Sequence, residues 1–377
     1  MNRHFYAVSA ATLITTMAFV ADVRAEGAAP AQQTITVTDK GCEPNDISIK
    51  AGEEIFTLTN NSKKSVEWEI LDGVKVVFER ENILPGFKLD LKPKLKEGTY
   101  DMTCGLLSNP KGKLTVTKGD APPAEEAKID PALIKAAATY RDWAQVEADA
   151  LVKGTTEFVK AVKAGKLEEA QKLFGPVRTH YEDIEPVAEL FGDLDPAIDA
   201  RADDFEKKED DPKWTGFHRI EKGLFADKKT DGLSDIADKL LIDVTELQSR
   251  IKVLDIPPAK MVGGAADLIE EVSKTKITGE EDRYSGTDLY DFQANVDGAK
   301  KIMELIKPEL LKKDKSLVDS TEANFAKVDA ILKKYRDGSG FKSYSTVSDD
   351  DRNALKAPVV ALSEDLAKLN GTLGLAN

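Results

Sequence analysis

The sequence predicts a multidomain chain, a small antiparallel β-sandwich followed by an all-α helical bundle. Three observations carry this. Residues 34 to 117 hold short β-branched segments broken by Gly, Pro and Asn turns; a Pro- and Glu-rich stretch follows near residue 120; and from residue 131 apolar residues recur at spacings of three and four.

The N-terminus reads "MNRHFYAVSAATLITTMAFVADVRAEGAA", with Arg3, an apolar run from about Tyr6 to Val20, and Val23-Arg24-Ala25. A basic start, a short apolar run and small residues predict a signal peptide over residues 1–25, cleaved near Ala25. The run is too short for the ~20 residues that a membrane-spanning helix requires. The expected product is exported and periplasmic, in a compartment where Cys42 and Cys104 would by default form a disulfide.

Residues 26–118 form the expected sandwich. "TITVTD", "EEIFTLTN", "VEWEIL", "VKVVFE" and "GKLTVT" read as strands. "KGDAPPAEEAKIDPA" has no apolar periodicity and reads as a linker over 119–130. Asp130-Pro131 offers an N-cap followed by a proline at the first helical position, opening a helical domain over 131–377. Leu133, Ala137, Tyr140, Ala144, Ala148 and Leu151 then line one face, and amphipathic stretches recur at roughly 167–191, 232–254, 287–312, 317–335 and 350–370.

Loss of residues 1–25 removes Arg3, Arg24 and Asp22, which takes Lys and Arg from 53 to 51, Asp and Glu from 67 to 66, and the net charge from −14 to about −15. So acidic a surface argues against nucleic acid and anionic membranes as partners and suits cations or basic proteins.

Ligand-type residues concentrate between 180 and 221. Glu182 and Glu185 stand three apart on one helical face, Asp199 follows the "GDLDP" turn, and His218 and Glu221 share the same spacing in "TGFHRIEKGLF". Only two histidines remain after the leader, His180 and His218. Carboxylates for a hard cation, with an imidazole that favours a transition metal, are how helical bundles build iron or manganese sites. Phe217, Ile220, Leu224 and Phe225 point the pair toward an apolar interior, where an unpaired carboxylate is costly. Two readings stand at this point, a metal site or a buried His–Glu hydrogen bond.

The segments "VTDKGCEP", "YDMTCGLLSNPKGKL", "IEPVAELFGDLDPAIDAR", "GFHRIEKGLF" and "EEDRYSGTDLYDFQANVDG" closely resemble the family of periplasmic components of bacterial elemental and ferrous iron uptake systems. The resemblance runs over both domains. It implies a cupredoxin-like domain joined to an imelysin-like helical domain that binds iron, Fe2+ or Fe3+, and passes it to a membrane iron permease, with a periplasmic haem peroxidase as a further partner. It implies His218 and Glu221 as ligands, completed by Glu182, Glu185 and Asp199, with Tyr181 and Arg201 as neighbours. It also implies an internal duplication, in which Asp288 and Asp291 of "YSGTDLYDF" would stand behind the ligands. Relatives of the helical domain have been grouped with peptidases, but no His-Glu-x-x-His or inverted motif is present, since Lys222 follows Glu221, and hydrolysis is not expected.

"YDMTCGLLSNPKGKLTV" looks like the closing loop of a cupredoxin. An ordinary blue-copper centre needs two histidines and a thiolate, and residues 26 to 120 contain no histidine. Two readings of Cys42 and Cys104 remain: a disulfide, or a thiolate site for copper, iron or zinc aided by Glu67, Glu81, Asp101 and Met102. Three functions follow. The first is iron capture and delivery, the second a ferroxidase using an N-terminal copper or iron site, and the third binding of an acidic polysaccharide such as alginate.

Overall fold

The computed structural model describes residues 31–119 and 128–375. The leader expected over 1–25 and most of the linker expected over 119–130 lie outside them.

The first domain has ten strands: β1 Ala31–Thr38, β2 Gly41–Glu43, β3 Asp46–Lys50, β4 Gly52–Asn60, β5 Val66–Asp72, β6 Lys75–Ile83, β7 Lys88–Leu91, β8 Lys94–Leu95, β9 Gly98–Met102 and β10 Gly112–Thr117. One sheet runs β2-β1-β4-β7 with β8 on β4, and the other β3-β10-β9-β5-β6. Most pairs are antiparallel, as expected, but β1 with β4 and β3 with β10 are parallel. The chain returns to the first sheet only after β3 has crossed to the second, and a hairpin cannot join strands that run the same way. Alternation puts Ile47 and Ile49 of β3 inward, and Phe56, Leu58, Trp68, Ile70 and Leu114 are fully buried. Each such side chain contributes about 1.5–3 kcal/mol. Cys42 on β2 and Cys104 beyond β9 form a disulfide that ties one sheet to the other.

The second domain begins with α1, Pro131–Lys163, where the Asp130 carboxylate accepts from the amide of Ala132, as the sequence predicts. All six residues of its predicted face are buried. There follow α2 Leu167–Glu182, α3 Glu185–Ala188, α4 Asp195–Asp199, α5 Gly216–Glu221, α6 Ser234–Val253, α7 Pro258–Lys274, α8 Asp288–Lys313, α9 Lys315–Leu332, α10 Asp349–Leu366 and α11 Leu369–Leu373. The helix expected over 167–191 breaks after Glu182, because Pro186 lacks an amide and suits the first turn of a new helix, α3. The periodicity reading contains no α7. Two-residue strands β11 Arg336–Asp337 and β12 Gly340–Phe341 pair in a small hairpin. Among the described residues no helix is long and apolar enough to cross a membrane.

The sandwich docks on the bundle through backbone as well as side chains. Val76 donates to the carbonyl of Leu190 at 3.0 Å, Gly192 to Val74 at 2.9 Å and Leu107 to Asp204 at 2.8 Å. Arg80 pairs with Glu270 at 3.0 Å and Lys260 with Glu79 at 3.0 Å. Leu107 packs on Ala200, Phe205 and Trp214, so a loop of the sandwich supports the segment that carries Asp199 into α5.

Candidate metal centre

The centre is built where α4 ends against α5. Gly216 opens α5 at φ +82°, and a Cβ there would stand 2.2 Å from the carbonyl oxygen of Ile198. Only glycine permits both that backbone angle and that approach. Two residues on, His218 is 2% exposed, and Glu221 at the end of α5 is fully buried. Helical spacing brings His218 Nδ1 to 3.1 Å from Glu221 Oε2.

The other oxygen of Glu221 accepts from the amides of Tyr284, at 2.9 Å, and Ser285, at 2.8 Å. Those bonds draw in the loop before α8 and with it Glu281 and Asp282, which are 3% and 0% exposed. Glu281 lies 3.5 Å and Asp199 3.6 Å from His218 Nε2, while Asp282 lies 3.9 Å from Nδ1. Asp199, His218 and Glu281 offer donor atoms within 4.8 Å of one another, and so do His218, Glu221 and Asp282. His218 Nε2 and Asp282 Oδ1 are buried without a hydrogen-bond partner among the described residues. Buried polar atoms are normally satisfied, so orphans on both edges of the His218 ring, Nε2 beside Asp199 and Glu281 and Asp282 Oδ1 beside Nδ1, mark a place for a ligand.

Two buried cations balance the carboxylates. Arg178, on α2 and fully buried, bonds Asp199 and Glu182 and reaches Asp291 at 3.3 Å, Asp282 at 3.4 Å and Glu281 at 3.6 Å. Lys276, 1% exposed, bonds Glu182 at 2.8 Å and Glu185 at 2.9 Å. Burial and Arg178 push His218 down, yet Asp199, Glu221 and Glu281 together carry it up to about 10. It is therefore an imidazolium at neutral pH when no metal is bound. Burial pushes Asp282 up to about 6, with Arg178 and His218 opposing.

Of the expected ligands, Asp199 and Glu221 both reach His218, but on opposite edges of its ring: Asp199 stands with Glu281 by Nε2, and Glu221 with Asp282 by Nδ1. Glu182 and Glu185 do not join them. Glu182 is taken up by Arg178 and Lys276, and Glu185 by Lys276 and by Asn295 at 2.8 Å. Tyr181 is buried and donates to Asp195, and Arg201 bonds Glu281 at 2.7 Å. Asp288 accepts from the amide of Asp282, and Asp291 receives Arg178, so both stand behind the donor group. Glu281, Asp282, Arg178 and Lys276 are absent from the sequence reading. The acidic run "EED" of 280–282 is the one signal that could have pointed to the first two.

A family model for imelysin matches residues 136–369, and one for a cupredoxin-like domain matches residues 9–116. The "Iron uptake system component EfeO" of Escherichia coli O6:K15:H31 (strain 536 / UPEC) is 53% identical over 378 residues, 99% of this chain and 98% of its own length. That of Escherichia coli (strain K12) is 55% identical over 346 residues, 91% and 92% respectively. The chain belongs to the EfeO family. Among solved structures, a purple cupredoxin from Nitrosopumilus maritimus covers 22% of this chain and 99% of its own at 19% identity and a TM-score of 0.19, a likeness too slight to bear on fold or function.

In this EfeO-family chain the cupredoxin-like domain carries no thiolate, because Cys42 and Cys104 are joined. The thiolate reading of that domain therefore gives way to the disulfide. Met102 is wholly inside the β core and Asp101 is exposed on β9. Glu67 and Glu81 look instead toward the bundle. Glu67 has Glu69, Glu81 and Asp195 as neighbours, and Glu81 groups with Glu189 and Glu271.

Proposed function

We propose that the protein captures iron in the helical domain and delivers it to a membrane iron permease. The observation that carries this is the single buried imidazole of His218, which faces carboxylates from three separate segments: Asp199 of α4, Glu221 of α5, and Glu281 and Asp282 of the loop before α8. A nitrogen among hard oxygens suits iron better than calcium or magnesium. The orphaned His218 Nε2 and Asp282 Oδ1 supply unsatisfied donors, and the similarity to components of iron uptake systems supports iron as the cargo. A leader over residues 1–25 would place the protein in the periplasm, and a haem peroxidase would be its further partner. With both cysteines spent in a disulfide, a ferroxidase built on a cysteine-bound copper ion has less to rest on.

The residues' roles follow from their surroundings. An incoming cation takes the place of the His218 proton, and Arg178 yields part of its hold on Asp199. Glu221 stays fixed by two backbone amides. Arg201 holds Glu281, and Thr287 donates to Asp282, orienting both as second partners do around metal ligands. A small cavity lined by Trp214, Arg283 and Tyr284 also borders His218 and Glu221.

The test is iron binding by the exported chain. His218→Ala and Glu281→Gln should each weaken it more than tenfold, whereas Glu185→Gln should bind as the parent does. Equal loss in Glu185→Gln would restore the ligand set read from sequence, and unchanged binding in His218→Ala would remove this centre. Delivery is read separately, as iron entry into vesicles holding the permease, with and without the protein.

A further inference from the structure

The second histidine of the exported chain lies outside the centre described above. His180 is on α2, and its Nδ1 is 2.8 Å from an oxygen of Glu147 on α1. Asp183, three residues after His180 and so on the same face, completes a group whose donor atoms all lie within 4.8 Å of one another. The three sit at the surface, with the His180 and Glu147 side chains 35% and 19% exposed.

This group lacks the internal counterions that balance the buried centre. None of its members pairs with a lysine or arginine among the described residues, and the Asp183 carboxylate makes no side-chain hydrogen bond there. Burial, Glu147 and Asp297 push Asp183 up, to about 8. Asp183 thus keeps its proton near neutral pH and would give it up to an arriving cation, beside an imidazole and a second carboxyl group with no lysine or arginine to balance them. Bonds of about 2.0–2.2 Å at tetrahedral angles put ligand atoms about 3.3–3.6 Å apart, so the His180–Glu147 contact, now 2.8 Å, opens slightly, and Asp183 starts within 4.8 Å of both.

We propose that Glu147, His180 and Asp183 form a second metal site, which takes a divalent first-row transition ion such as Zn2+ at the surface of the helical domain. Three protein ligands leave a position open to water, the arrangement of an exchangeable site. The ion replaces the proton between His180 and Glu147. Arg178 and Glu182 leave α2 toward the buried network, so the two sites occupy different faces of one helix and are separable by mutation.

Zn2+ alone, titrated into the full exported chain by calorimetry, reads the stoichiometry. Anomalous scattering at the zinc edge places the ions. His180→Ala and Asp183→Asn should each lose one equivalent and the peak between α1 and α2, with unchanged melting temperature, while His218→Ala keeps that peak. The Asp183→Asn protein serves if the alanine variant folds poorly, since asparagine keeps the shape and removes the charge. Parental stoichiometry in either folded variant, or no zinc between α1 and α2 in the parent, overturns the site.

Discussion

Oδ1 of Asp199 lies 3.6 Å from Nε2 of His218 and on the same atom receives the buried guanidinium of Arg178. One carboxylate oxygen thus joins the proposed metal ligands to the charge that balances them in the ion-free protein. Arg178→Gln should leave Asp291 without its cation, deprive Asp199 of its guanidinium and leave Glu182 to Lys276 alone, and cost the ion-free protein about 3–5 kcal/mol. Added Fe2+ or Mn2+ should restore more of the melting temperature in the variant than it adds to the parent. A variant as stable as the parent without metal would show that Arg178 is not the counterion.

Proton release should accompany metal binding. His218 is held up at about 10, and only a neutral imidazole ligates, so each ion bound at pH 7 should expel about one proton from it. Apparent affinity should rise about tenfold per pH unit from this group up to about pH 10, and fall further below about 6 as Asp282 protonates. Without metal the sign reverses. The His218 value is raised above the unfolded 6.5, so its stabilisation is complete below about 6.5 and is lost as pH rises through 10. Calorimetry in buffers of differing ionisation enthalpy counts the protons, and none released would contradict the assignment.

Gly216→Ala should act more on binding than its size suggests. The backbone strain at φ +82° costs about 1–3 kcal/mol, and the clash with the Ile198 carbonyl must push α5 from α4. His218 would then draw away from Asp199. Iron affinity should fall more than tenfold while circular dichroism stays helical; parental affinity would mean that α5 is not positioned through this contact.

The parent protein should yield no free thiols on denaturation. The double variant Cys42→Ser, Cys104→Ser should lose about 4 kcal/mol in the sandwich, from a crosslink that closes a separation of 62 residues. Its iron binding in the helical domain should persist. Two reactive thiols in the parent, with copper retained, would return the cysteines to a metal site.

Much of this was legible in the sequence because it is local. Period-two and period-3.6 patterns mark strands and helices, and spacing of three puts His218 and Glu221 on one face. Asp199 was legible because Asp195-Pro196 opens a helix that ends on it. Glu281 and Asp282 were not, since they come from a loop without periodicity that is held to the centre by long-range bonds, among them those of Glu221 to Tyr284 and Ser285 and of Arg201 to Glu281. Glu182 and Glu185 have ligand spacing, but their partners Arg178, Lys276 and Asn295 come partly from segments about a hundred residues away. Nothing local tells a carboxylate that binds metal from one that binds a buried lysine.

Directly after Glu221 the helix widens into a π-helical turn, Lys222–Ala226, in which Asp227 donates to the carbonyl of Lys222 five residues back. An α-helix advances by about 100° per residue, and the extra residue of a wider turn resets that count. The stretch that holds His218 and Glu221 is thereby geared independently of the stretch that seats Leu224 in the core and Gly223 against Leu233. The wall can keep its packing while the donor atoms are aimed elsewhere, and deleting one residue here would turn the donors out of phase with the fold without removing any of them.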